Sequence, residues 1–268
     1  MRFSVEARLV YLFEAPCEVL LLLEAARTPG QSVRHERLTA PLACDLARFE
    51  DPVTCERHTI LDAQGDVEIG YVAEVETVRQ DHDFTARPAG RIRDLPAEVL
   101  PYLRPSRYCP SDRLERLVRR RFGGLQGGAK AAAILDWVRG HLTYEAGVSD
   151  GASTALDTLV GAAGVCRDYA HLAISLLRAA EIPARAVSAY AWRLEPPDLH
   201  AVVELFLDGR WWLADPTGLA PLDGLIRIAS GRDAADIAFM TIFGKAELLD
   251  QSFAVTRLEA MAVTPPAG

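Results

Sequence analysis

A cysteine stands where a loop gives way to a helical pattern. The stretch Gly164–Arg185 opens with glycine, valine and cysteine, continues with amphipathic periodicity and has Pro183 near its end. This pattern predicts a helix that begins at or near Cys166. The free N–H groups and partial positive charge of a helix N-terminus favour a thiolate. Cys166 is therefore either a nucleophile or, like most free cysteines, a small buried hydrophobe.

A predicted hairpin brings a histidine and an aspartate together. Asp208-Gly209 is a two-residue turn between alternating strands, and it places Val202 opposite Asp215. His200 is two residues from Val202 and shares its face, so it is the diagonal neighbour of Asp215 at about 7–8 Å between backbones. The two side chains can close this gap with one hydrogen bond. Such a pair could serve Cys166 or could be structural.

Together the three side chains have the composition of an activated thiol nucleophile. The imidazole of His200 would take the proton of Cys166, and Asp215 would fix the tautomer of the ring. His171 is the nearest histidine in sequence, but a separation of five residues turns it about 140° away from Cys166 on a helix. His200 is therefore the predicted base.

The N-terminal part of the chain has the pattern of a small antiparallel β-domain, assigned to residues 1–85. Residues 67–78 alternate between apolar and polar side chains, which is typical of a strand. The preceding "DAQGD" (62–66) has turn chemistry, so a hairpin is predicted over 57–78.

A proline- and arginine-rich linker is predicted over residues 86–112, and the core over residues 113–268. The core opens with amphipathic helices in "SDRLERLVRRRF" and "GGAKAAAILDWVRGHL". The helix at Cys166 follows, with a predicted buried stripe of Ala170, Ala173, Leu176, Leu177 and Ala180. Three strands come next, in "ARAVSAY", "HAVVELFL" and "RWWLAD".

Composition narrows the function classes. The 29 basic and 37 acidic residues give a net charge of −8, which argues against a nucleic-acid partner. The five cysteines are widely spaced and form no CxxC pair, so neither a disulfide framework nor a zinc site is predicted. The opening residues lack a signal-peptide pattern, and "VLLLL" is too short to span a membrane. We expect a cytoplasmic protein with free thiols, no membrane partner and no metal.

Four blocks, taken in order, resemble the transglutaminase-like superfamily: "GVCRDYAHLAISLLRAAEIPARAVSAY", "HAVVEL", "WWLADPT" and "GRDAADIAF". They lie within roughly residues 130–245. The resemblance implies an α+β fold, with a papain-like or transglutaminase-like core preceded by an antiparallel β-sandwich-like domain. The sequence departs from the family pattern at two positions, with Val202 where tryptophan is common and Ala189 where glycine is common.

The resemblance also implies a reaction. Cys166 would be the nucleophile, His200 the general base and acid, and Asp215 the orienting carboxylate, with a thioester intermediate and no cofactor. The expected substrate is a protein or peptide, attacked at a glutamine side chain or a peptide bond, and hydrolysis by a protease or amidase is preferred. The alternatives are a transglutaminase, an acyltransferase using a thioester donor, and a non-catalytic binding module that retains the triad.

Two further residues are predicted to contact substrate. Tyr144, in "LTYEAG", is a candidate second donor to an oxyanion held by the Cys166 amide. Trp192 lies in the proline-rich loop that leads to His200, and it is a candidate wall of the cleft.

Overall fold

The computed structural model describes residues 1–41, 44–52 and 54–259. In this part of the chain the strands are β1 (Arg2–Leu21), β2 (Gln31–Thr39), β3 (Leu46–Glu50), β4 (Arg57–Thr77), β5 (Thr143–Tyr144), β6 (Ala163–Gly164), β7 (Ala184–Ala191), β8 (Leu199–Leu207), β9 (Arg210–Ala214), β10 (Leu225–Gly231), β11 (Met240–Ile242) and β12 (Ala246–Leu258). The helices are α1 (Glu115–Phe122), α2 (Gly127–His141), α3 (Ala155–Gly161), α4 (Cys166–Ala179) and α5 (Ala234–Ile237). None of the described helices is long and apolar enough to cross a membrane.

The N-terminal strands form one antiparallel sheet around two long strands. β1 and β4 pair along most of their length, from Arg2 opposite Glu76 to Leu21 opposite Thr59. β2 and β3 pair with the other edge of β4, and β11 and β12 pair with β1. The expected β-sandwich-like domain is thus a continuous sheet in the described residues.

The predicted hairpin over 57–78 is wrong, because β4 runs straight through "DAQGD". Gly65 has a φ of +71° within the strand, and the register with β1 shifts opposite it, between Phe13 and Cys17. The turn-type residues therefore accommodate a bulge and not a chain reversal. β1 supplies a partner on both sides of the bulge, so the strand has no need to fold back on itself.

The predicted boundaries of the core need correction at the C-terminal end. β11 and β12 return to the N-terminal sheet, where β12 pairs with β1 from Arg2 opposite Leu258 to Phe13 opposite Ala246. This pairing satisfies backbone groups that the edge of β1 would otherwise leave open. Residues 260–268 of the predicted core lie outside the described residues.

The core packs α4 against an antiparallel sheet with strand order β10-β7-β8-β9. The predicted helix start at Cys166 is confirmed, and residues Tyr169 to Arg178 of α4 are buried. The short helix α3 was not predicted, although Thr154 and Asp157 cap its first turn with a hydrogen bond of 2.8 Å from the Thr154 N–H to the Asp157 carboxylate. The α+β class predicted from the sequence is confirmed.

The segment predicted as a linker packs against the core. It forms 3₁₀ turns at Ile92–Asp94, Ala97–Leu103 and Ser111–Arg113. Cys109 is completely buried, with its sulfur 3.6 Å from the carbonyl oxygen of His171 in α4. The segment therefore carries the chain from the sheet to the core as a packed crossover.

Buried polar contacts join the N-terminal sheet to the core. The Tyr190 ring of β7 stacks on Tyr71 of β4 at 6.2 Å, and its hydroxyl donates to the Leu23 carbonyl at 2.6 Å. Gln31 donates to the Arg227 carbonyl and accepts from the Arg227 N–H, both at 2.9 Å. These contacts hold β7 and β10 in a fixed position against the N-terminal sheet.

Candidate active site

Cys166 is the first residue of α4, and a buried carboxylate fixes the loop that leads to it. Asp168 accepts from the Val165 N–H at 2.9 Å and from the Ser149 hydroxyl at 2.5 Å. Gly164 lies so close that an added Cβ would stand 2.6 Å from the Cβ of Asp168. The N–H of Cys166 itself has no partner within the helix, because it belongs to the first turn.

Asp168 and the close packing of Gly164 were not predicted from the sequence. The available signal was an acidic residue at the third position of a predicted helix, where a carboxylate commonly caps the preceding backbone. The contact between a glycine and that carboxylate is visible only in three dimensions.

His200 and Asp215 form a buried pair at the open end of the β8–β9 hairpin. The observed register has Leu207 opposite Arg210 and Val203 opposite Ala214, as predicted from the Asp208-Gly209 turn. His200 Nε2 lies 3.0 Å from Asp215 Oδ2. The two residues are 1% and 6% exposed, so water competes little for this contact.

A tight turn after β9 holds the carboxylate of Asp215. Its Oδ1 accepts from the N–H and the hydroxyl of Thr217 at 2.9 and 2.7 Å. Its Oδ2 accepts from the Ala220 N–H at 3.2 Å. Arg139 of α2 donates to the Asp215 carbonyl at 3.0 Å, and this hydrogen bond attaches the turn to helix α2. The carboxylate is therefore fixed before it meets the imidazole.

The surroundings of His200 favour its protonated form. Burial lowers the pKa of His200, but the hydrogen bond and charge of Asp215, together with Cys166, outweigh burial and raise the pKa to about 9. Among the described residues, Nδ1 has no hydrogen-bond partner. It is thus the ring nitrogen that remains available to the Cys166 sulfur and to a substrate.

Tyr144 stands beside Cys166 because two very short strands meet. Tyr144 of β5 pairs in parallel with Gly164 of β6, and the Glu145 N–H donates to the Gly164 carbonyl at 3.0 Å. The Tyr144 hydroxyl interacts with both the N–H and the sulfur of Cys166, and burial and the charge of Cys166 raise its pKa to about 12. The phenol is therefore a neutral hydrogen-bond donor over the ordinary pH range.

The contacts of Trp192, a predicted wall of the cleft, lie at the N-terminal sheet. Its ring lies 5.9 Å from the Phe3 ring of β1, with the guanidinium groups of Arg193 and Arg257 at 4.2 and 5.7 Å. The apolar ring is drawn to the N-terminal sheet, where Phe3 offers a buried surface. Trp192 thus packs at the join between the two parts of the fold.

His171 is held away from Cys166, in agreement with helix geometry. Its Nε2 accepts from the Ala234 N–H at 3.1 Å, and its ring stacks on Tyr108 at 5.1 Å. Burial lowers its pKa to about 4. Across the described residues no group of three His, Cys, Asp or Glu side chains has the arrangement of a metal site.

Comparison with known proteins places this geometry in a family. Residues 116–216, which include all three predicted triad positions, match the model of the transglutaminase-like superfamily core. A crystal structure of a "putative cysteine protease" from Cytophaga hutchinsonii is 35% identical, with a TM-score of 0.90 over 97% of this chain and 91% of that one. The chain belongs to the transglutaminase-like superfamily. The TM-score over nearly the full length shows that the N-terminal sheet of this transglutaminase-like protein is shared as well.

Two further relatives match a smaller part of the chain or have a lower sequence identity. An uncharacterised protein of Mycobacterium leprae is 34% identical over 149 residues, which are 51% of this chain and 52% of that protein. The transglutaminase-like chain thus spans about half the length of this curated relative. The periplasmic domain of TgpA from Pseudomonas aeruginosa is 18% identical, with a TM-score of 0.46 over 81% of this chain and 90% of that domain.

Proposed function

We propose that the protein is a cysteine-dependent amide hydrolase, a protease or amidase that works through a thioester. The observation that carries this proposal is the buried His200–Asp215 pair at 3.0 Å, which lies beside Cys166 at a helix N-terminus and in which the pKa of the imidazole is raised to about 9. An imidazolium beside a sulfur at a helix N-terminus stabilises the thiolate, which is the nucleophilic form.

The first half of the reaction forms the acyl-enzyme. The Cys166 sulfur attacks the carbonyl carbon of the amide, forming a C–S bond and moving an electron pair to the carbonyl oxygen. In this proposal the Cys166 N–H and the Tyr144 hydroxyl, which are neighbours, donate to that oxygen. When the electron pair returns, the C–N bond breaks, and His200 gives its proton to the departing amine.

The second half releases the acid. His200, now neutral, takes a proton from water while the water oxygen attacks the thioester carbonyl. The C–S bond then breaks, the acid leaves, and the thiolate–imidazolium pair is restored. The balance is amide plus water giving acid plus amine. Asp215 holds the ring throughout, because its Oδ2 faces Nε2 and leaves Nδ1 for the sulfur and the substrate.

A peptide library incubated with wild type and Cys166→Ala tests the proposal. Cleavage or deamidation seen by mass spectrometry only with wild type supports hydrolysis, and an acyl-enzyme adduct on the Cys166 peptide supports the thioester. Serine in place of Cys166 is the matched control, because it keeps the size of the side chain with a weaker nucleophile. Transfer to an added primary amine in place of water would show a transglutaminase, and no turnover of any amide by a folded protein would contradict the proposal.

A further inference from the structure

Asp198 is an exposed residue beside the site formed by Cys166, His200 and Tyr144. It directly precedes β8 and stands two residues before His200, so strand alternation puts both side chains on the same side of the sheet. Only Leu199 separates it from His200 in the chain, so its carboxylate lies near the imidazole. Its charge also acts on the Tyr144 hydroxyl.

The carboxylate of Asp198 lacks a basic partner from the described residues other than His200. Its Oδ1 accepts from the adjacent Leu199 N–H at 2.7 Å. The nearest arginine in sequence, Arg193, lies over the Trp192 ring at 4.2 Å. Asp198 is exposed at the surface, yet desolvation by the neighbouring protein exceeds the help from nearby cations and raises the pKa of its carboxyl. An incoming cation would relieve this cost.

We propose that Asp198 makes the site selective for substrates with a positive charge on the side of the leaving amine, such as a lysine or arginine residue or a free ammonium group. The charge is placed on the leaving-amine side because His200, which donates the proton to that amine, stands two residues from Asp198. This assignment of the scissile bond rests on the proposed function, but the preference for a cation near Cys166 does not.

Three alkylating reagents of different charge measure the preference without any turnover. Iodoacetamide is neutral, iodoacetate is an anion, and 2-bromoethyl-trimethylammonium is a cation, and each alkylates the Cys166 sulfur. A carboxylate at about 6 Å changes the local concentration of a unit charge by about tenfold at an effective dielectric constant of about 40. We expect Asp198→Asn to lower the cation-to-iodoacetamide rate ratio by about tenfold and to raise the iodoacetate ratio.

The controls distinguish the effect of the Asp198 charge at the site from the effect of the overall negative charge of its loop. Asparagine keeps an acceptor for the Leu199 N–H, so the loop should stay in place. Glu195→Gln removes an exposed acid from the same loop and should leave both ratios unchanged. The effect of Asp198→Asn should also shrink at high salt, because screening weakens the interaction of partly exposed charges.

Unchanged ratios in Asp198→Asn, or an equal change in Glu195→Gln, would overturn the proposal. A peptide library tests on which side of the cleaved bond the positive charge is recognised. Wild type should favour lysine or arginine after the cleaved bond, and Asp198→Asn should lose that preference. Cleavage without such a preference overturns the placement of the charge on the leaving-amine side. If Cys166 reacts with the expected charge preference but no amide is turned over, the amide-hydrolase proposal fails and the recognition of cations stands.

Discussion

Replacing Asp215 by asparagine should lower the pKa of His200 and flatten the pH dependence of stability. Asparagine has nearly the same shape and keeps an oxygen for Thr217 or Ala220, but it has no charge to face the imidazole. The change therefore tests the electrostatic coupling of the pair more than its packing.

The size of the expected change in the pKa of His200 follows from how far the folded protein raises that pKa. A rise from 6.5 to about 9 means that folding favours the imidazolium of His200 by about 3 kcal/mol, as the sum of opposing burial and of support from Asp215 and Cys166. A hydrogen bond to a charged group contributes about 1.5–3 kcal/mol. We therefore expect Asp215→Asn to lower the pKa of His200 by about 1–2 units.

The direction in which folding shifts the pKa of His200 determines at which pH the pair stabilises the protein. A histidine whose pKa is raised on folding stabilises the protein below its unfolded pKa, and this stability is lost as the pH rises through the folded value of about 9. The difference in free energy of unfolding between wild type and Asp215→Asn should therefore be larger at pH ~6 than at pH ~10, by about 1.5–3 kcal/mol.

Urea denaturation at a series of pH values measures this difference, and NMR titration of the His200 ring measures the pKa directly. Asp223→Asn is a matched control, because it removes the carboxylate from the more exposed His82–Asp223 contact at 3.1 Å. It should not move the titration of His200. Parallel stability curves for wild type and Asp215→Asn, with one titration midpoint for His200, would refute the reasoning.

Three other substitutions have separable outcomes. Tyr144→Phe should lower kcat about 10- to 100-fold with little change in KM, since the lost donor acts on the oxyanion, and an equal loss through KM alone would contradict that role. Gly164→Ala should lower the free energy of unfolding by about 1–3 kcal/mol in urea, because the new Cβ meets Asp168, and an unchanged midpoint would show that the loop yields freely. Trp192→Ala should lower the melting temperature while the alkylation rate of Cys166 stays the same, and a large drop in that rate would return Trp192 to the cleft.

Local rules predicted the parts of the site that lie within one element. The start of α4 follows from helix periodicity, and the contact between His200 and Asp215 follows from the register set by the Asp208-Gly209 turn. Each depends on residues fewer than about twenty positions apart in one helix or hairpin, where spacing alone fixes geometry.

The features of the fold that were not predicted from the sequence depend on contacts between residues far apart in the chain. β4 passes through turn-type residues because β1 offers a continuous partner, and β12 joins β1 across almost the whole chain. Trp192 turns to Phe3 for the same kind of reason, since the surface that buries it comes from the other end of the sequence. Local patterns carry no information about such partners.

The pH dependence of Cys166 alkylation by iodoacetamide tests the central claim most directly. If the charged imidazole of His200 holds the sulfur as a thiolate, wild type should react readily at pH ~6, and His200→Ala should react at least about tenfold more slowly there. At pH ~10, where free thiols are ionised, the two rates should converge. Identical profiles for the two proteins, both following an ordinary thiol, would contradict the assignment of Cys166 and His200 as nucleophile and base.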